Sequence, residues 1–256
     1  MSLYSPPPAP SAVRLRPATP DDADLLARWD LEPHVIACST DDPEADIAFG
    51  GIEWREEIEA ASEVSFHLIA EVEGRPIGVM QIIDPHLEPT HYWGEIEPNL
   101  RAMDIWIGPP DALNRGYGAQ MMTLAIDDAF VDPAVTAIVI DPLASNTDAH
   151  RFYQRLGFEP VGRRVFDQDD CLVHRLSRET WFVSPAGAKR GAGTAGSESV
   201  NGPAPEPGQT PIASDRSDLS SGSTPPGRPE DSGITSVRPG SSLRSGRDDK
   251  ALGPDT

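Results

Sequence analysis

The chain has 256 residues, with 21 Lys or Arg against 41 Asp or Glu and a net charge of −20. So large an acidic excess disfavours nucleic acid and anionic membrane surfaces as partners and suits a cationic small molecule. Two cysteines without close spacing, Cys38 and Cys171, form neither a metal pattern nor a disulfide framework and fit a reducing, cytoplasmic compartment.

Composition divides the chain into three parts. Residues 1–11, with Pro6-Pro7-Pro8, read as a flexible arm. From Ser184 onward there is no Phe, Trp or Tyr, and Pro, Gly and Ser dominate. Such a stretch cannot bury enough apolar surface to offset its ordering entropy, so 184–256 reads as a disordered, solubilising tail. It holds eight Lys or Arg and nine Asp or Glu, so the rest of the chain carries −19. Residues 12–183, about 170 in all, suit one core.

Val13-Arg14-Leu15-Arg16 alternates and predicts a first strand. Thr19-Pro20-Asp21-Asp22 predicts a capped helix to about Asp30 that buries Leu25, Leu26 and Trp29. Pro33 is expected to interrupt. Asp42-Pro43-Glu44 is expected to cap a second helical region, strongest from Gly51 to Ala61. Ser65–Val72 and Pro76–Ile83 predict a hairpin around Glu73-Gly74-Arg75. Arg101–Ile107 predicts a fourth strand, and Gly116–Val131 a helix ended by Asp132-Pro133. Val135–Ile140 reads as a buried central strand. Ser145-Asn146-Thr147-Asp148 opens a helix that glycine ends at Leu156-Gly157, and Phe158–Val165 and Cys171–Leu176 close the domain as strands. The order implies an α/β architecture around a mixed sheet with helices on both faces. The longest apolar runs, such as Ala137–Ile140, are only strand-length, so no membrane span is expected, and no basic-then-apolar leader opens the sequence.

Two segments carry chemistry. In Asp104–Phe130 a strand breaks at Gly108-Pro109-Pro110 and passes through Arg115-Gly116-Tyr117-Gly118 into an amphipathic helix. Backbone N–H groups at such a helix entrance can hold an anion. The loop lacks both the P-loop lysine and the dinucleotide glycine spacing. Alternation puts Arg101, Met103, Ile105 and Ile107 on one face of the fourth strand, and Ala102, Asp104 and Trp106 on the other. Burial there would raise the pKa of Asp104 toward that of a general base, although the pattern also fits a strand acid paired with an arginine. In Asp141–Phe158, Asn146 and Tyr153 lie seven apart on one helix face. Tyr153 suits a proton donor at the sheet edge, or a packing aromatic beside Phe152. The six histidines show no ligand spacing, and no metal is expected.

Arg-Gly-Tyr-Gly before a helix and Asn-x-x-Ala-x-Arg-Phe-Tyr-x-x-x-Gly-Phe after a strand resemble the acetyl-CoA-binding motifs of the GCN5-related N-acetyltransferase (GNAT) superfamily, over roughly Val13 to Trp181. The run from Tyr92 to Asp104, with Trp93, Glu95, Glu97 and Arg101, resembles aminoglycoside 6'-N-acetyltransferases in particular. The resemblance implies a GNAT-like, mostly antiparallel central sheet of about seven strands with helices on both faces. It implies acetyl-CoA as co-substrate, held by Ile105, Trp106 and Ile107 of the strand, by Arg115, Gly116, Tyr117, Gly118 and Ala119 of the loop, and by Asn146. It makes Asp104 the acid that accepts the ammonium proton and Tyr153 the donor to the leaving thiolate. Trp93, Glu95, Glu97 and Asp141 would bind the acceptor, and the enzyme would act as a monomer or a homodimer. Leu113 stands where the superfamily usually has Gln or Arg.

The expected activity is acetyl transfer to a primary amine of a cationic small molecule, an aminoglycoside 6'-amine first. A siderophore precursor, polyamine or peptide amine is the alternative acceptor. Siderophore acyltransferases that resemble this layout usually carry a histidine near the fourth strand, where Asp104 stands here. A non-enzymatic acyl-CoA-binding module is the third reading.

Overall fold

The computed structural model describes residues 12–183; the arm at 1–11 and the tail at 184–256 lie outside the described residues. Its strands are β1 (Val13–Pro17), β2 (Ser65–Val72), β3 (Arg75–Ile83), β4 (Leu100–Ile107), β5 (Ala137–Ile140), β6 (Glu159–Phe166) and β7 (Asp169–Ser177). The helices are α1 (Ala23–Trp29), α2 (Pro33–Ser39), α3 (Trp54–Glu59), α4 (Tyr117–Ala129), α5 (Thr147–Arg155) and α6 (Arg178–Val183). The strands form one sheet in the order β1-β2-β3-β4-β5-β7-β6, antiparallel except for β4 and β5. No described helix is long and apolar enough to cross a membrane.

Alternation decides which side chains meet. Leu68, Met80, Met103 and Ile105 face α4 and α5, packing with Met121, Met122, Ile126 and Tyr153. On the other face Ile69, Val79 and Trp106 pack under α1, α2 and α3, with Leu26, Trp29, Val35, Phe49 and Trp54. A third apolar group covers that same face further along, where Ile83, Ala102 and Val139 meet Trp93 and Phe166. The row His67, Gln81, Asp104, in register across β2, β3 and β4, lies between these two groups.

The predicted hairpin is present. Glu73 and Gly74 form its two-residue turn, with φ of +53° and +78°. Three helical expectations change. The first helix begins as a 3-10 turn over Pro20–Asp22, where Asp22 accepts from the Thr19 backbone N–H at 2.8 Å and takes two hydrogen bonds from Arg16. Pro33 starts α2 rather than interrupting, because a proline at the first helical position gives up no needed N–H. Asp42-Pro43-Glu44 caps nothing: Asp42 Oδ1 accepts from the Glu44 N–H at 3.0 Å, a local turn. Helix α6 was not expected. Ser177 Oγ accepts from the Thr180 N–H, and Trp181 buries its ring while donating to Asp127 at 2.8 Å.

The sheet opens at one place. Strands β4 and β5 pair at Leu100–Ala137, Arg101–Ile138 and Ala102–Val139, and the pairing stops there. Beyond Ile140 the chain turns toward β7 instead: Leu172 donates to the Pro142 carbonyl at 3.0 Å, and Leu143 bridges to Cys171. Strand β4 therefore runs on from Met103 to Ile107 with an open edge.

Candidate active site

A cleft of about 480 Å³ occupies this opening. Met103, Asp104, Ile105, Trp106 and Ile107 of β4 line one side, and Ile140, Asp141 and Pro142 the other. Asn114 and Gly118 at the start of α4, and Asn146, Phe152 and Tyr153 of α5, close it from one face of the sheet. Cys38 and Phe49 close it from the opposite face.

The entrance of α4 is built to receive an anion. Gly116 is its N-cap with φ of +78°, a conformation glycine adopts without strain. The first intrahelical bond runs from Gln120 N–H to Gly116 at 3.3 Å, so the N–H groups of Tyr117, Gly118 and Ala119 precede it. At residue 118 the Phe152 ring lies alongside, 3.7 Å from where a Cβ would stand, an ordinary contact distance. The side chains of Arg115 and Tyr117 turn away, toward a separate hollow with Arg75 and Asp111, so the cradle is backbone. Asn146 caps α5 by accepting from the Ala149 N–H at 3.0 Å, which leaves its amide N–H groups for the cleft. The open β4 edge, the helix entrance and the through-sheet cleft suit an extended phosphorylated thioester such as acetyl-CoA.

Asp104 is half-buried on β4, and Asp141 is 3% exposed just past β5. Burial, then the charge of Asp104, push the Asp141 carboxyl well above the ordinary carboxylate range. The Tyr92 hydroxyl, donating to Asp141 Oδ2 at 2.8 Å, and the nearby Arg164 charge act the other way. Tyr153 is 8% exposed, and burial with the charges of Asp104, Cys38 and Asp141 pushes its phenol up. The charge of Asp104 is thus close enough to act on both Asp141 and Tyr153. Cys38 is pushed up to about 11, so its thiol stays protonated.

Not every expected residue joins them. Trp93 is 1% exposed and packs edge-on against Phe166 at 5.2 Å, so it is core and does not line the cleft. Glu95 is exposed and is not among the residues that line the cleft, and Glu97 pairs with Arg175 at 2.6 Å. The resemblance placed these three by position in a loop; the loop folds their side chains elsewhere. Tyr92, Cys38 and Phe49 are the residues that sequence reasoning missed. Cys38 and Phe49 belong to no motif, Tyr92 opens the Tyr92–Asp104 run without having been given a role, and each reaches the site through tertiary packing. Asp169 at the β6–β7 turn was also missed. It accepts from Thr40 Oγ1 at 3.2 Å and fastens the end of α2 beside the cleft.

The Acetyltransferase (GNAT) domain family matches residues 18–166. The aminoglycoside N(6')-acetyltransferase type 1 of Klebsiella pneumoniae is 28% identical over 173 residues, covering 67% of this chain and 85% of that protein. The lysine N-acyltransferase MbtK of Mycobacterium tuberculosis is 26% identical over 180 residues, covering 68% of this chain and 83% of that protein. The structure of AAC(6')-Ib with ribostamycin and coenzyme A superposes with a TM-score of 0.59 at 26% identity, covering 68% of this chain and 98% of that one. Matched over more than half its length, and carrying the open β4–β5 edge beside a glycine-led helix entrance, the chain belongs to the GNAT acetyltransferase family.

Proposed function

We propose that the protein transfers an acetyl group from acetyl-CoA to a primary amine of a cationic small molecule, the 6'-amine of an aminoglycoside. The observation that carries this reading is the meeting of two carboxyls, Asp104 and Asp141, with Tyr153 in a cleft that opens on both faces of the sheet. Acetyl-CoA supplies an acyl group activated as a thioester. The N–H groups at the α4 entrance hold its pyrophosphate, and Asn146 offers amide N–H groups beside it. A backbone N–H on the open β4 edge, between Met103 and Ile107, stabilises the charge that develops on the carbonyl oxygen.

An amine reaches neutral water protonated, and nitrogen attacks only as the free base. Asp104 takes that proton, directly or through one water. Asp141, held by Tyr92, orients the remaining cationic groups of the acceptor. Tyr153 faces the donor side and gives its proton to the leaving thiolate. The similarity to a lysine N-acyltransferase favours a second acceptor, a lysine side-chain amine. Thiol release from acetyl-CoA across a panel of aminoglycosides, polyamines and lysine derivatives tests both. The first reading expects turnover with aminoglycosides, and no thiol release from any of them would sink it.

A further inference from the structure

Between α2 and α3 the backbone does something costly. Phe49, Gly50 and Gly51 follow one another with φ of +55°, +69° and +80°. Glycine enters this region freely, whereas a phenylalanine does so only where its surroundings hold it. The Phe49 ring packs on Trp106 with centroids 4.6 Å apart and stands edge-on to Trp54 at 6.5 Å. The turn itself is anchored by Ala48, whose N–H donates to the Asp30 carbonyl at 2.8 Å. The strained residue is therefore spent on placing one aromatic ring. That ring, with Cys38 and Trp106, forms the cleft wall on the side of the sheet opposite α4 and α5.

The direction of the cleft gives this wall a task. The phosphate cradle and Tyr153 lie on the side of α4 and α5, and the open β4 edge lies in the plane of the sheet. An acyl chain that continues past a thioester carbonyl held at that edge crosses to the face of Asp104. There it meets Phe49. We propose that Phe49 is the acyl-length gate of this enzyme: with Trp106 and Cys38 it admits an acetyl group and rejects longer acyl chains. Each added methylene must displace the buried Phe49 ring, a cost that donor binding alone registers. The proposal rests on the acetyl-CoA reading and narrows it to short-chain donors.

The test needs no acceptor. Acetyl-CoA, butyryl-CoA and hexanoyl-CoA are titrated calorimetrically into the full chain, as wild type, Phe49→Ala and Phe49→Gly. Wild type is expected to bind butyryl-CoA about tenfold or more weakly than acetyl-CoA, with hexanoyl-CoA weaker still. Both variants are expected to lose most of that gap. Phe49→Gly keeps the left-handed turn at no steric cost, so it separates removal of the ring from damage to the fold, with a thermal melt reporting the fold. Equal affinities in wild type would overturn the gate, as would a gap that persists in either folded variant. If wild type binds no acyl-CoA at all, the donor site fails and the gate with it; if it binds all three alike, the donor site stands and the gate alone fails.

Discussion

The Tyr92 hydroxyl donates a 2.8 Å hydrogen bond to Oδ2 of Asp141, joining the loop before β4 to the residue just past β5. Burial and the Asp104 charge hold the Asp141 proton on, and this bond favours its release. A cationic acceptor binds the ionised pair best, so its affinity rises as pH climbs through the raised pKa. Tyr92→Phe removes a bond to the charged form. The rising limb of kcat/KM for the amine should move to higher pH, with KM higher at neutral pH. A pH profile that does not move would show that Asp141 is tuned by burial alone.

Asp104→Asn keeps the shape of the β4 side chain and removes the base. We expect kcat/KM for the amine to fall on the order of 10²–10⁴-fold. Affinity for acetyl-CoA should hold, because the cradle at α4 is backbone. Steady-state kinetics beside calorimetry separates the two, and full activity in this variant would remove the base assignment.

Tyr153→Phe should lower kcat by about 10²-fold, at the lower end of what a positioned proton donor contributes. Burial and the charges around it push the phenol up from its ordinary value, so wild type should show no alkaline loss of kcat from this group up to about pH 10. A phenylalanine variant with wild-type kcat would reduce Tyr153 to packing against Phe158.

Stability should depend on Asp30, which lies buried with Oδ2 accepting from Trp54 Nε1 at 2.6 Å. Burial raises this carboxyl to about 7, above its ordinary value. A group whose folded pKa is raised contributes fully below the unfolded pKa, and that contribution is lost as pH rises through the folded one. The loss is on the order of a few kcal/mol at most. Asp30→Asn retains an acceptor for Trp54 and cannot ionise. Its Tm relative to wild type should climb between about pH 4 and about pH 8, as differential scanning calorimetry would show. A constant difference would mean that Asp30 does not titrate in this range.

Much of the fold was legible because it is written in local pattern. The β2–β3 hairpin follows from two apolar runs around Glu73-Gly74, and the faces of β4 follow from alternation alone. The backbone of the proposed donor side was legible for the same reason: Gly116 takes a left-handed φ that glycine enters freely, and Asn146 caps α5. The acceptor side was not. Phe49 and Cys38 arrive from a segment where Pro33 started a helix that periodicity did not announce. Trp93, placed at the acceptor by its sequence neighbours, instead fills the core with Phe166, a contact 73 residues distant along the chain that no local pattern encodes. The opening between β4 and β5 depends on Pro142 and Leu143 pairing with β7, which is likewise a long-range event.

Acetyl transfer to a 6'-amine predicts a sharp difference between two aminoglycosides that differ at that position. Thiol release from acetyl-CoA is followed with kanamycin, which carries a 6'-amine, and with paromomycin, which carries a 6'-hydroxyl. Saturable turnover with kanamycin and none with paromomycin is the predicted result. Comparable turnover with both, or none with kanamycin while a lysine side-chain amine is acetylated, would contradict it.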